Sequence, residues 1–176
     1  RYEKNLHFDP EVRRVIRSSI KESVDYLIGV ESWLDFPKSE TLPEMVKYRE
    51  DLGYYLNYNT AVMVQGRELD LYHKSKFVPG VEKIPFPGLL GWIIKIIRFQ
   101  GSGTYGSDEI RKVEYTRDSV GIAPLICYES IFGEFVSEFA LNGANMIGVI
   151  TNDAWWGNTD GHKHHNAYAR FRAIEL

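Results

Sequence analysis

An α/β layered domain is the fold this sequence predicts, and three observations carry that expectation. Short apolar runs of strand length recur, at residues 26–30, 60–64, 121–126 and 146–150. Segments with helical period stand before and between them, and turn residues such as Gly66 and the Asn142-Gly143 pair mark the junctions. Strands that alternate with helices in this way pack as layers and gather ligands at their carboxyl ends. The 176 residues suffice for one domain or most of one, and 44% hydrophobic with 14% aromatic residues is enough to bury a substantial core. With 21 basic against 24 acidic residues the formal charge is -3, and no basic stretch suited to tracking a phosphate backbone occurs, which argues against a nucleic-acid partner. No apolar run approaches the roughly 18 residues of a membrane span, and no signal-peptide pattern begins at Arg1.

Asp9-Pro10 reads as a cap followed by proline in the first turn. Val12, Val15, Ile16, Ile20 and Val24 then keep helical spacing, which predicts an amphipathic helix over 9–23. Residues 26–30 form a compact apolar run around Gly29 and predict a buried strand. Pro37, Pro43 and many charges make residues 35–53 an expected exposed excursion, a loop with a short helix. Strands over 60–64 and 69–72 are joined through Gln65-Gly66-Arg67-Glu68 as a hairpin. A strand over 121–126, a helix over 131–141 and a further strand over 146–150 follow. Residues 167–176 read as a helix that stops without glycine or proline; with Arg1 in place of an initiator methionine, this leads us to expect a piece of a longer protein.

Cys127 is the only cysteine, in Pro124-Leu125-Ile126-Cys127-Tyr128-Glu129-Ser130, where a strand meets a polar cluster. One thiol cannot close an internal disulfide, which leaves packing, reactivity or a link to another chain. Just after a strand and before a helix, backbone amides and the helix dipole favour a thiolate, and the same amides serve an oxyanion. Such a nucleophile also needs a base and cationic or N–H donors for its tetrahedral intermediate. None of the five histidines, His7, His73, His162, His164 and His165, stands in a cysteine-protease context. His162, His164 and His165 lack the spacing and partners of a zinc site, so no metal or cofactor is expected and hydrogen-bonding or helix-start roles are preferred. The polar segment 72–86 follows a strand directly; a lysine held there would stabilise an oxyanion, and its composition equally describes a solvated loop.

Taken in order, the motifs are more specific than any one residue. Tyr72-His73-Lys74 with Val78-Pro79-Gly80-Val81-Glu82 and Pro85-Phe86 comes first, then Ile126-Cys127-Tyr128-Glu129 with Phe132-Gly133-Glu134. Thr151-Asn152-Asp153-Ala154-Trp155-Trp156-Gly157, Gly161-His162 and Ala169-Arg170-Phe171-Arg172-Ala173-Ile174-Glu175 follow. This series resembles the apolipoprotein N-acyltransferases of the nitrilase, or carbon-nitrogen hydrolase, superfamily. The resemblance implies a nitrilase-like α-β-β-α sandwich over residues 1–176, incomplete at both ends, with an apolar lid or arm at 86–106. The family works through a Glu-Lys-Cys triad, and the resemblance puts its lysine at Lys74, its nucleophile at Cys127 and a second active-site glutamate at Glu82. By the same mapping Tyr128, Glu129 and Trp155 line the substrate site, and Lys74 with the Tyr128 backbone N–H stabilises the oxyanion. The departure is the base, which in the family lies in a Pro-Glu-Thr-type segment on a strand before the first helix. Nothing here matches it. Glu31 follows strand 26–30, which corresponds to the family's strand after that helix, so the base is expected upstream of Arg1 and the isolated chain is expected to be inactive.

In Leu89-Leu90-Gly91-Trp92-Ile93-Ile94-Lys95-Ile96-Ile97-Arg98-Phe99 only Lys95 and Arg98 interrupt an apolar run, and a Gly-Ser-rich stretch follows. Its length suits an interfacial element or a buried helix, and the resemblance puts a mobile lipid-facing arm here. The implied reaction moves an acyl chain from a phospholipid donor, through a Cys127 thioester, to the α-amine of a diacylglyceryl-cysteine lipoprotein. Its implied place is the periplasmic side of a bacterial inner membrane, with the transmembrane part outside this chain. Two other readings remain: a soluble amidase of the same superfamily acting on a small carbon-nitrogen substrate, and an inactive domain that binds lipid or protein. The apolar arm argues against the first, and intact Lys74, Glu82 and Cys127 against the second.

Overall fold

The computed structural model describes residues 6–19, 21–37, 46–66, 68–78, 105–107 and 109–176. Strand β1 (Leu6–Phe8) is followed by α1 (Pro10–Ser19), whose first turn closes with the Arg13 N–H on the Asp9 carbonyl at 3.0 Å. The helix is shorter than the expected 9–23. Residues 22–24 turn instead into the next strand, the Lys21 N–H donates to the Tyr26 hydroxyl at 3.1 Å, and Val24 is exposed rather than on the apolar stripe.

β2 (Asp25–Phe36) and β4 (Gly53–Gln65) form a long antiparallel ladder running from Asp25 opposite Gln65 to Phe36 opposite Tyr54. β1 pairs with β2, while β3 (Lys47–Arg49) and β5 (Glu68–His73) pair with opposite ends of β4. This corrects the expected excursion over 35–53. Asp35 and Phe36 belong to β2, Lys47–Arg49 is a strand, and no helix lies among the described residues of that stretch. The reason is cross-strand pairing: Phe36, Tyr54 and Tyr55 favour a pleated surface, and they extend the ladder until Pro37 removes a donor.

The second sheet runs β6 (Glu114–Tyr115), β7 (Gly121–Ile126), β8 (Met146–Ile150), with β6 antiparallel and β8 parallel to β7. A 3-10 turn (Cys127–Ile131) and α2 (Gly133–Leu141) make the crossover, so the helix starts two residues later than expected because the first residues wind more tightly. Gly143, at φ 102, ends it, and the Ala144 N–H returns to the Phe139 carbonyl at 2.9 Å. A second 3-10 turn (Asp153–Trp156) leads to α3 (Gly161–Glu175), which contains residues 167–175 of the expected helix over 167–176.

The two sheets meet face to face at β4 with β7 and β2 with β8, and α2 and α3 pack on β7 and β8. Every residue of β7 is buried. It lies in a core that joins Ala61 and Tyr72 of the first sheet to Phe135, Val136 and Phe139 of α2. Side chains such as Leu125 and Phe139 are fully withdrawn from water, each worth about 1.5–3 kcal/mol. The sheets approach so closely that a Cβ on Gly29 would lie 2.3 Å from Ile150 Cγ2. Among the described residues no helix is long and apolar enough to cross a membrane.

Candidate active site

Because β7 and β8 are parallel and end side by side at Ile126 and Ile150, the residues that follow them emerge together. Cys127 leaves β7, and Thr151 and Asn152 leave β8. From the first sheet β5 ends at His73, and the Lys74 N–H continues the ladder by donating to the Asn59 carbonyl at 2.9 Å. These ends converge on a cavity of about 430 Å³ lined by Lys74, Cys127, Thr151 and Asn152, by Asn59 and Thr60 of β4, and by Gly29, Val30 and Glu31 of β2. Lys74 and Cys127, distant in sequence, thus share one wall-to-wall space.

Cys127 is half-buried and holds φ at 52, a left-handed conformation uncommon for a residue with a side chain. Such an elbow persists only where its surroundings fix it. Glu129 is one of those surroundings. It is 0% exposed, and its Oε1 accepts from the Tyr72 hydroxyl at 2.8 Å and from the Ser75 and Lys76 N–H groups at 2.6 and 3.0 Å. Its Oε2 accepts from the Ile126 N–H at 2.8 Å. One carboxyl therefore ties the segment that carries Lys74 to the residue before Cys127. Burial pushes the Glu129 carboxyl up from its ordinary range, and the Ile126, Lys76 and Ser75 amides and the Tyr72 hydroxyl oppose that shift without cancelling it. Burial first, and then the charge of Glu129, push the Tyr72 hydroxyl up as well.

The other expected site residues fall in different places. Tyr128 is half-buried with its ring edge-on to Phe132 at 5.7 Å, and neither it nor Glu129 is among the residues lining this cavity. Glu129 lies buried beneath the cavity, where its hydrogen bonds join the two segments. Trp155 belongs to the 3-10 turn Asp153–Trp156, just beyond the cavity's Asn152. Glu82 lies outside the described residues, as does the arm over 86–106 apart from Tyr105 and Gly106. His162 and His164 are exposed and His165 is buried; no group of three metal-ligating side chains occurs among the described residues.

Sequence reasoning missed Thr60 and Asn59, and set Glu31 aside. Thr60 Oγ1 lies 2.6 Å from Ser32 Oγ and 2.8 Å from His73 Nδ1, a polar chain across three strands behind the cavity. Glu31 faces Asn59 across the β2–β4 ladder, and its Oε1 accepts from Asn57 Nδ2 at 2.7 Å. The available signal was alternation: Gly29 and Glu31 share one face of β2.

Residues 43–176 match the profile of the carbon-nitrogen hydrolases. The chain belongs to the carbon-nitrogen hydrolase family. Among relatives of this hydrolase domain, the apolipoprotein N-acyltransferase of Chlorobaculum tepidum is 32% identical over 69% of the chain, and that of Rhizobium rhizogenes 34% identical over 72%. The apolipoprotein N-acyltransferase of Aquifex aeolicus is 27% identical over 94%. The chain spans 24% of the length of the first two relatives and 39% of the third. A solved carbon-nitrogen hydrolase from Helicobacter pylori G27 aligns with 96% of this chain and 52% of its own, at a TM-score of 0.49 and 14% identity.

Proposed function

We propose that this carbon-nitrogen hydrolase domain belongs to an N-acyltransferase in which Cys127 carries the acyl group. The observation behind the proposal is the convergence of Lys74 and Cys127 on one cavity, each at the end of a strand from a different sheet. The names of the relatives support the substrate class. The Cys127 thiolate attacks the ester carbonyl of a phospholipid, forming an S–C bond and an oxyanion that Lys74 and the Tyr128 N–H stabilise. Collapse breaks the C–O bond, and the lysophospholipid leaves as an alcohol with the proton taken from the thiol. The free α-amine of a diacylglyceryl-cysteine lipoprotein then attacks the thioester, an amide forms, and the thiol recovers its proton. Glu82 steadies Lys74, and the carboxylate that takes the thiol proton precedes residue 1, as the family resemblance implies. The domain works at the periplasmic face of a bacterial inner membrane, with membrane helices carried elsewhere in a longer protein.

The test uses that longer protein with labelled phospholipid and mass spectrometry of the Cys127 peptide. An acyl adduct is expected on Cys127, and Lys74→Ala should slow its formation by about 10²–10³-fold, the cost of losing an oxyanion partner. Absence of the adduct, with turnover of a small amide in its place, would replace the acyltransferase by an amidase. Glu31→Ala is expected to leave thioester formation intact; its abolition would make Glu31 the base.

A further inference from the structure

The elbow at Cys127 is also gripped by a histidine for which the chemistry above has no use. His165, near the start of α3, is 8% exposed. Its Nε2 lies 2.9 Å from the Cys127 carbonyl oxygen, and its Nδ1 lies 2.9 Å from Asp153 Oδ1. A carbonyl oxygen and a carboxylate oxygen only accept, so Nε2 and Nδ1 each carry the hydrogen that joins them to their partner. Asp153 is held in turn by the Thr151 hydroxyl, which donates to the same Oδ1 at 2.9 Å. The buried Ser130 hydroxyl adds a second donor to the Cys127 carbonyl at 3.1 Å. Elements after β7 and β8 thus meet on a single backbone oxygen at the nucleophile.

That oxygen matters because of what lies at the other end of its peptide. The Cys127 carbonyl and the Tyr128 N–H belong to one planar unit, and no peptide among the described residues is cis. The two groups therefore point in opposite directions, and fixing one aims the other. We propose that His165, oriented by Asp153, is a positioning residue for the oxyanion: by pinning the Cys127 carbonyl it directs the Tyr128 N–H at the tetrahedral intermediate. The proposal rests on the reading of Cys127 as an acylated nucleophile. It gives the motif Thr151-Asn152-Asp153 a task, and accounts for the burial of His165 against the Cys127 carbonyl.

Two variants separate the two nitrogens of the ring. In His165→Asn the amide reaches the Nδ1 position and Asp153 but falls short of the carbonyl, whereas in His165→Gln it reaches the Nε2 position and restores a donor to Cys127. Three single-turnover reactions of Cys127 are compared in the longer protein: acylation by phospholipid vesicles, acylation by a p-nitrophenyl ester, and alkylation by iodoacetamide. Alkylation forms an S–C bond with loss of iodide and passes through no oxyanion. His165→Asn should slow both acylations by about 10²-fold with KM unchanged, leave alkylation within about twofold, and His165→Gln should regain most of the rate. Parallel loss of alkylation, unchanged acylation in His165→Asn, or a glutamine no better than asparagine would overturn the proposal. If wild type ignores phospholipid yet reacts with the p-nitrophenyl ester and shows the same asparagine–glutamine difference, the positioning role stands and the phospholipid donor falls. Reaction with neither ester overturns both.

Discussion

Two buried glutamates divide this molecule's polar interior into opposite cases. Glu129, beneath the cavity, receives four donors from two segments, whereas Glu114, on the edge strand β6 and 1% exposed, accepts no hydrogen bond among the described residues. Lys112 Nζ lies 3.5 Å from Glu114 Oε1, and that lysine also contacts Asp70. Burial pushes the Glu114 carboxyl up, with Lys112 opposing. Burial likewise raises Glu129, so desolvation is common to both and the difference lies in the partners. A buried carboxyl with a full set of donors fixes the relative position of two segments; one without them is only a cost to the fold. In this domain the satisfied carboxyl joins the segment that carries Lys74 to the end of β7 before Cys127.

The sharpest way to break that contrast is Glu129→Ala. The Ser75, Lys76 and Ile126 amides would lose their acceptor and the Tyr72 hydroxyl would keep only Ser75 Oγ, at 3.2 Å, and the loss is expected to be at least about 3 kcal/mol. Thermal melting reads that loss, and acylation of Cys127 should vanish even where the variant stays folded, because the Lys74 segment is no longer tied to Ile126. A variant that acylates normally would show that Glu129 is dispensable as a clamp. Tyr72→Phe is milder. It removes one donor of four, and about 1–2 kcal/mol is the expected cost, with the three backbone amides still holding the carboxylate and acylation reduced far less than in Glu129→Ala.

What the sequence made legible follows the range of the interactions involved. The bounds of β7 and β8 and the placing of Cys127 and Lys74 at strand ends depend on local apolar runs and short motifs, and the structure agrees with them. Glu129 did not read as a clamp, because a glutamate beside a strand end is ordinarily a surface or site residue and three of its four donors come from more than fifty positions away. The long β2–β4 ladder was hidden for a similar reason: Pro37 and the charges around it read as loop, while the pairing of Phe36 with Tyr54 is a contact that no local pattern reports. The hydrogen bond between Asp153 and His165 spans a turn and a helix start, so neither residue's role is visible from its neighbours.

Glu114→Gln is the smallest expected effect and the one that tests the cost of an unsatisfied carboxyl. With its folded pKa raised above the ordinary 4.5, Glu114 is neutral in both states at low pH. As pH rises past 4.5 the unfolded chain ionises in water while the folded state resists, so stability falls until pH passes the raised folded value. Glutamine keeps the shape and removes this titration. Its melting temperature at pH 7 should equal or exceed that of the parent, by no more than on the order of 1 kcal/mol in stability, and the parent's decline as pH rises above 4.5 should flatten. A glutamine variant that melts well below the parent at neutral pH would mean that the Lys112 contact outweighs desolvation. The two glutamates would then differ in geometry but not in kind.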